Sequence, residues 1–162
     1  MKIKAILLTF SVFFPVVLFA NVPNCPLING INVHTSERVL TICKHGTVIK
    51  SFKVALGYRG VGKKRAGDNK TPIGLYRLAY PRKSTQFKVF IPILYPTSQQ
   101  LAAGYTGRDV GIHGPAQSSH LFTWLNNLPS ATRGCIAVGK NNYIEYVANW
   151  VKANPGTQIL II

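Results

Sequence analysis

Short runs of β-branched and aromatic residues, separated by turns that contain glycine or proline, dominate the chain from residue 38 onward. Residues 38–42 and 48–56 flank His45-Gly46, and two β-rich runs around a glycine-containing turn predict a β-hairpin. Further apolar runs of strand length are residues 75–78, 87–94, 110–112 and 158–162. With no internal repeat or linker, the pattern predicts one mainly β domain.

One amphipathic helix is predicted near the C-terminus. Its apolar stripe recurs at positions i, i+3, i+4 and i+7 and consists of Ile144, Val147, Ala148 and Val151. Asn142 is a suitable N-cap, and Glu145 three residues later would complete a capping box. Asn154-Pro155-Gly156 should end the helix.

The first twenty residues have a different character. Lys2 and Lys4 precede an apolar run at 5–19, and Ala20 offers a small residue for cleavage. This order is that of a secretory signal peptide, and the run is shorter than a spanning helix requires. We therefore expect a signal peptide at 1–20, a single domain at 21–162 with no membrane span after cleavage, and export to the periplasm or cell envelope. Because Leu18 is large for its place before the cleavage point, an uncleaved anchor is the alternative.

The charge balance is strongly basic: 19 Lys and Arg against four acids give a net charge of +15. Such a surface attracts anionic partners. Nucleic acid is not the expected partner, since the compartment is wrong and neither a recognition helix nor an aromatic-interleaved basic motif is present. An anionic wall polymer or membrane surface fits better, and a basic surface that serves only solubility is the alternative. The oligomeric state is not determined.

The three cysteines leave one thiol without a partner. Cys25 and Cys43 could pair in an oxidising compartment, which would leave Cys135 free. No cysteines or histidines have zinc-ligand spacing, so no metal is expected. The absence of a Cys-x-x-Cys pair argues against a thiol redox protein.

Residues 132–138, Thr-Arg-Gly-Cys-Ile-Ala-Val, contain the first candidate for chemistry. A cysteine is a nucleophile only as thiolate and needs a cation or base nearby, and Arg133 lies two residues from Cys135. Gly134 would let a substrate approach and leave the amides of Gly134 and Cys135 free to face a developing oxyanion. A buried structural cysteine is the alternative.

The second candidate is His113, which lies between Gly111-Ile112 and Gly114-Pro115. Histidine suits a thiol as base because its pKa lies near the working pH. A turn histidine is the alternative. Because catalytic partners meet in space, the remaining histidines also compete, and these are His34, His45 and His120.

The third stretch is the glycine-rich, basic segment 57–70, which predicts a loop ending at Thr71-Pro72-Ile73-Gly74. Asp68 within it could orient a catalytic histidine. Gly-Asp-Asn is also ordinary turn chemistry, and the turn is the preferred interpretation.

These stretches together resemble the L,D-transpeptidase (YkuD-type) catalytic domain. Residues 67–76 resemble its G-D-x-x-T-P-x-G-x-Y signature, and residues 112–114 and 132–136 resemble its paired His and Cys motifs. The order agrees across roughly residues 32–162. The resemblance implies a single-domain mixed β-sandwich or barrel with a short amphipathic helix near the C-terminus.

The resemblance also implies roles. Cys135 would attack the carbonyl of the meso-diaminopimelate residue in a peptidoglycan tetrapeptide stem and expel the terminal D-Ala. His113 would hold the thiolate as an ion pair, with its other nitrogen bound to a backbone carbonyl, and would later activate the acceptor. The flanking residues would serve the oxyanion and the substrate, and these are Thr132, Arg133, Gly134 and Gly114. No metal or organic cofactor is implied.

Two positions depart from the common S-H-G-C-[IV]-R motif, since Arg133 replaces the histidine and Ala137 the trailing arginine. The form here looks more like the YafK-like branch, some of whose members are associated with cutting links between peptidoglycan and attached proteins. Arg133 would take over part of the missing arginine's contact with a stem carboxylate. The acceptor stays open between an amine, giving a crosslink, and water, giving an L,D-carboxypeptidase or a hydrolase that releases wall-linked protein. A non-catalytic basic wall-binding domain is the remaining alternative.

Overall fold

A computed structural model of the chain describes residues 24–117 and 132–162. The predicted signal peptide and His120 lie outside the described residues. Within these ranges no helix is long and apolar enough to cross a membrane. The strands are β1 (Gly30–His34), β2 (Val39–Lys44), β3 (Thr47–Ala55), β4 (Gly74–Arg77), β5 (Arg82–Ser84), β6 (Lys88–Pro92), β7 (Gly111–His113), β8 (Ile136–Val138) and β9 (Gln158–Ile161). The helices are α1 (Ser98–Ala102) and α2 (Asn141–Ala153).

The nine described strands form one mixed sheet in the order β4-β9-β1-β2-β3-β8-β7-β6-β5. The pairs β1/β9 and β7/β8 are parallel, and the others are antiparallel. Strand β3 joins the two halves of the sheet: it pairs with β2 along most of its length but with β8 only through Val54 and Ala55. The prediction of a mainly β, single-domain fold with a small C-terminal helix is confirmed.

The predicted hairpin is strands β2 and β3, joined by His45-Gly46. Both turn residues have positive φ, 50° and 75°. A two-residue connection of this kind matches the right-handed twist of the strands it joins. The next connection, from β3 to β4, is the predicted loop.

Helix α2 buries the four predicted residues, Ile144, Val147, Ala148 and Val151, against the core, and Asn154 follows its last turn. The predicted N-cap is wrong. The helix begins at Asn141, and Lys140 is the N-cap with no side-chain capping bond. Glu145 therefore lies beyond the first turn and cannot reach the N-cap amide. Its carboxylate instead accepts from Lys88 on β6, with an Nζ–Oε1 distance of 2.6 Å.

A disulfide joins Cys25 to Cys43 and ties the segment before β1 to β2, as the cysteine count allowed. Cys43 is fully buried, and the side-chain amide of Asn32 donates to its sulfur at 3.3 Å. Cys135 is the cysteine that keeps a free thiol.

Candidate active site

Strands β7 and β8 bring His113 and Cys135 together. They are parallel neighbours in the register Ile112↔Ile136 and His113↔Ala137. Because side chains alternate between the faces of a strand, His113 and Ala137 lie on one face, and Cys135, two residues before Ala137, faces the same way. Both candidate residues therefore meet on one side of the sheet, although 21 intervening positions separate them in sequence.

Two clefts meet at Cys135. The first cleft, with a volume of about 650 Å³, is lined by Arg82, Ser84, Thr85, Gln86, Phe87, Phe90, Asp109, His113, Ala116, Thr132, Arg133 and Cys135. The second cleft, about 740 Å³, is lined by Tyr58, Lys63, Ala66, Gly67, Asn69, Gly107, Arg108, Asp109, Val110, Arg133 and Cys135. Cys135, Arg133 and Asp109 belong to both clefts. A group bound in either one can therefore reach the thiol.

His113 is buried, with 5% of its surface exposed, and its ring stacks on Phe87 at a centroid distance of 3.8 Å. Its Nδ1 lies 2.7 Å from the carbonyl oxygen of Gly114. A carbonyl only accepts, so Nδ1 carries the proton and Nε2 keeps a free lone pair, as a base requires. Burial lowers the pKa of His113, and the bond to Gly114 opposes that shift only in part.

Gly114 is held between this histidine and helix α2. A Cβ on Gly114 would lie 2.8 Å from Cγ2 of Ile144. Glycine is therefore required by the close approach of α2, and that contact fixes the carbonyl that orients His113.

The thiol of Cys135 is half-buried and donates to the carbonyl oxygen of Asp109 at 3.6 Å. Burial raises the pKa of Cys135, whereas the Gly111 backbone and the Lys63 charge lower it, and Asp109 raises it further. A raised thiol pKa and a lowered imidazole pKa both favour the neutral forms. Both shifts therefore oppose the resting ion pair that the resemblance implied.

Thr132 organises the turn before Cys135. Its hydroxyl donates to the carbonyl of Cys135 at 2.7 Å and accepts from the amide of Gly134 at 3.1 Å. The prediction that the Gly134 amide is free for an oxyanion is therefore wrong, because Thr132 already binds it.

A glycine is required at position 134 because a neighbouring backbone carbonyl lies close to it. Its φ is +122°, and a Cβ there would lie 2.6 Å from the carbonyl oxygen of Lys70. The space predicted for the substrate is occupied by the loop between β3 and β4. Arg133, by contrast, is exposed and lines both clefts.

Asp68 organises that loop. It accepts from Nζ of Lys63 at 2.8 Å and from the amides of Lys64, Arg65 and Lys70 at 2.8, 2.9 and 3.1 Å. Burial alone would raise the pKa of Asp68, but these donors outweigh it and hold the pKa well below its usual range. The turn interpretation of Asp68 is supported, since His113 is oriented by Gly114.

The competing histidines that the structure describes lie elsewhere. His34 is in β1, where its Nε2 lies 3.1 Å from the carbonyl of Asn24, and His45 is in the hairpin turn. Neither lines a cleft with Cys135. No group of three His, Cys, Asp or Glu side chains in residues 24–117 and 132–162 could hold a metal ion.

Sequence reasoning missed three residues of the site: Lys63, Phe87 and Asp109. Lys63 is one of three consecutive basic residues that look alike in sequence. The structure buries Lys63 and leaves its neighbours Lys64 and Arg65 exposed. Phe87 belongs to none of the sequence motifs, and its contribution to the site is the stacking of its ring on His113. Asp109 has a positive φ of 60°, a backbone feature that a single aspartate does not reveal in sequence.

Comparison with known proteins identifies the family whose profile this chain matches. Residues 29–161 match the L,D-transpeptidase catalytic domain (YkuD), which is most of the chain. A search of curated proteins found no match.

Solved structures share the fold. The helical cell shape determining protein Pgp2 from Campylobacter jejuni is 25% identical, with a TM-score of 0.66 over 81% of this chain and 46% of that one. Bd1075 from Bdellovibrio bacteriovorus is 23% identical, with a TM-score of 0.60 over 83% and 48%. An L,D-transpeptidase from Xylanimonas cellulosilytica is 18% identical, with a TM-score of 0.51 over 87% and 64%. The chain thus spans about half the length of the first two proteins.

Proposed function

The chain belongs to the L,D-transpeptidase catalytic domain family, and from that premise we propose that it acts on peptidoglycan stem peptides through a thioester at Cys135. The observation that carries the proposal is the pair of side chains at the meeting point of the two clefts. The free thiol of Cys135 and the buried imidazole of His113 line the same cleft, and the tautomer held by Gly114 leaves Nε2 available as a base.

The first half-reaction begins from the neutral pair. Nε2 of His113 takes the thiol proton while the sulfur attacks the carbonyl of the diaminopimelate residue. The tetrahedral oxyanion collapses, the bond to the terminal D-Ala breaks, and the leaving amine takes the proton from His113. The product is a thioester on Cys135. Because Gly134 donates to Thr132, we assign the oxyanion contact to the amide of Cys135 itself.

The second half-reaction needs an acceptor on the other side of the thioester. The two clefts meet at Cys135, which suits a donor stem in one and an acceptor in the other. An amine of a second stem attacks the thioester carbonyl and passes a proton to Nε2 of His113. The C–S bond then breaks, the new amide is the crosslink, and Cys135 takes the proton back from His113 as the free thiol. Water in the same place gives a trimmed stem, so L,D-carboxypeptidase or hydrolase activity is the second candidate.

Arg133 is the residue we assign to a stem carboxylate. It is exposed and lines both clefts, so its guanidinium reaches substrate on either side of the thiol. Ala137, which replaces the arginine of the common motif, is buried opposite His113 in β8 and contributes no charge. Arg133 therefore supplies a bidentate donor near the position where one is missing.

Two further properties follow from the proposed activity. The disulfide between Cys25 and Cys43 fits an oxidising compartment, and we propose that the enzyme works in the cell envelope or periplasm. The likeness to a protein that determines helical cell shape suggests wall remodelling that bears on cell shape. A purely wall-binding role would need neither the free thiol nor the oriented imidazole.

Intact-mass measurement of the purified protein with a tetrapeptide stem or a carbapenem tests the proposal. We expect one covalent adduct on the native chain and none on Cys135→Ala. An adduct that persists in Cys135→Ala would refute the assignment of the nucleophile. Muropeptide analysis after incubation with sacculi then separates crosslinking, trimming and release of attached protein.

A further inference from the structure

Lys63 is a buried cation beside the proposed nucleophile. Only 6% of its surface is exposed, whereas Lys64 and Arg65 beside it are exposed. Its Nζ donates to Oδ1 of Asp68 at 2.8 Å and to the carbonyl of Arg65 at 3.0 Å. An ammonium has three N–H donors, so one remains after these two contacts. Burial of a lysine requires compensation, and Asp68 supplies it.

Backbone hydrogen bonds also hold Lys63 in position. Its amide donates to the carbonyl of Thr71 at 3.2 Å, and its carbonyl accepts from the hydroxyl of Tyr95 at 3.1 Å. Its Cε lies 3.2 Å from the point where a Cβ of Gly107 would stand. The ammonium is therefore held in place before any substrate binds.

The Lys63–Asp68 ion pair is oriented relative to the second cleft. Lys63 lines the second cleft together with Cys135, whereas Asp68 does not line either cleft and faces the loop amides. The positive end of the pair is thus turned toward the cleft and the negative end toward the loop. Because Lys63 itself is buried, solvent screens its charge less than it screens the charge of an exposed side chain.

The loop that carries Lys63 is joined directly to the nucleophile turn. The carbonyl of Lys70 fills the space beside Gly134, and the hydroxyl of Thr71 accepts from the amide of Gly57 at 2.8 Å. Gly57 in turn forms a bridge with Thr132. The position of the ammonium relative to Cys135 is therefore set by backbone packing.

The other charged groups near the thiol do not replace Lys63. His113, from β7, is buried and disposed to the neutral form, and Asp109 carries a charge that opposes a thiolate. Arg133 is exposed, so solvent screens its charge. Arg82 and Arg108 are also exposed and line only one cleft each. Lys63 is the cation that is both buried and fixed among these groups.

We propose that Lys63, held by Asp68, is a positioning residue that stabilises the thiolate of Cys135 from the second cleft, while His113 accepts the proton from the first. The charge that Lys63 supplies opposes the burial that disfavours the thiolate. The inference rests on the proposed function in taking Cys135 as the nucleophile.

The test is the rate of alkylation of the full-length protein by iodoacetamide as a function of pH. Because Cys25 and Cys43 form a disulfide, the reaction reports Cys135 alone. We expect Lys63→Met to move the rate profile to higher pH and to slow alkylation at pH 7 by about tenfold, since the rate follows the thiolate fraction. Lys63→Arg should restore most of the rate because it keeps the charge.

Lys64→Met is the matched control, since Lys64 is exposed and its side chain lies over the ring of Tyr105. It should alkylate as the native protein does. If circular dichroism shows that Lys63→Met does not fold, Lys63→Gln keeps a donor for Asp68 without the charge and serves the same test. An alkylation profile of the folded, uncharged variant equal to that of the native protein overturns the inference.

Alkylation requires no peptidoglycan, so the two proposals fail separately. A native protein that forms no adduct with a stem peptide, but whose alkylation depends on Lys63, contradicts the proposed function alone. An adduct that forms with equal thiol reactivity in native protein and Lys63→Met contradicts the role of Lys63 alone.

Discussion

The carbonyl oxygen of Gly114 accepts a hydrogen bond from Nδ1 of His113 at 2.7 Å, so the neighbouring backbone orients the candidate base. No carboxylate is needed for this purpose. The arrangement suits a chain with only four acidic residues, of which Asp68 is already engaged by four donors and Glu145 by Lys88. The tautomer of His113 is therefore set by the backbone carbonyl of Gly114, just after β7, and helix α2 packs against Gly114.

Gly114→Ala should reduce the rate of thioester formation. The new methyl would lie 2.8 Å from Cγ2 of Ile144, so the backbone must move and the carbonyl loses its alignment with His113. We expect a destabilisation of about 1–3 kcal/mol, typical of overpacking, and a fall in the rate of acylation by a carbapenem. Denaturant unfolding and stopped-flow measurement check the two effects.

A double variant separates misalignment from general damage. Ile144→Ala removes the obstructing methyl, so it should partly restore the acylation rate of Gly114→Ala although it costs stability on its own. A double variant that acylates no faster than Gly114→Ala would contradict the alignment argument.

The pH dependence of acylation should follow His113. Burial lowers the pKa of His113, so the imidazole remains an unprotonated base below its ordinary value of about 6.5. Activity should therefore persist into mildly acidic solution and be lost only as the pH falls through the lowered pKa. The pH profile of the acylation rate measures this directly.

Phe87→Ala should change that profile in a defined direction. Loss of the stacked ring admits water to the imidazole, which raises the pKa of His113 and moves the acidic limb to higher pH. Phe87→Leu preserves much of the burial and is the control. An acidic limb that is the same in all three proteins would exclude a role for this contact.

Asp68→Asn should destabilise the fold and remove part of its acid sensitivity. The folded-state pKa of Asp68 is below its unfolded value, so its stabilisation is present above about pH 3.9 and is lost as the pH falls through the folded pKa. We expect a cost of about 1–3 kcal/mol at pH 7, as for loss of the acceptor in charge-assisted hydrogen bonds. Urea unfolding from pH 7 down to pH 2 measures the cost at neutral pH and the loss of stability below about pH 3.9.

Glu145→Gln is the control for Asp68→Asn. The pair of Glu145 and Lys88 is half exposed, and such surface pairs contribute at most about 1 kcal/mol. Equal losses of unfolding free energy in the two variants would show that the Lys63–Asp68 pair stabilises the protein no more than a surface ion pair does.

Reduction of the disulfide should lower the thermal stability without removing the active thiol. The bond closes a loop with a sequence separation of 18, for which a contribution of about 3 kcal/mol is typical. We expect a lower Tm in dithiothreitol for the native protein. A variant with Cys25→Ser and Cys43→Ser should start from the lower Tm and be insensitive to the reductant.

Arg133→Ala should weaken substrate binding more than it slows chemistry. The loss of a guanidinium from both clefts should raise KM for a stem peptide by roughly tenfold, in the range for a charged hydrogen bond to a carboxylate. Arg77→Ala, in β4 of the other half of the sheet, is a control of the same residue type. An unchanged KM and turnover in Arg133→Ala would refute the assignment of Arg133 to a stem carboxylate.

Much of the fold could be predicted because its signals are local. The turn at His45-Gly46 lies between two β-rich runs, and both turn residues take the positive φ that such a hairpin needs. The apolar stripe of α2 is buried as its spacing indicated. Strand β1 was not predicted because a polar residue interrupts it: Asn32 is fully buried, and its side chain binds both backbone groups of Leu27.

The sequence by itself determined the β-rich architecture, the amphipathic helix, the family motifs and the identity of the thiol and imidazole that carry the proposed chemistry. These properties depend on residue type and on spacing along one element, which a single chain displays directly. The tertiary structure decided the roles of the residues around them. It showed that Gly134 makes room for the carbonyl of Lys70, that Gly114 orients His113, and that Lys63 is buried among exposed basic neighbours. The Lys70–Gly134 and Gly114–Ile144 approaches join residues far apart in the chain, and the burial of Lys63 is set by the folded loop around it. Local sequence patterns therefore could not reveal them.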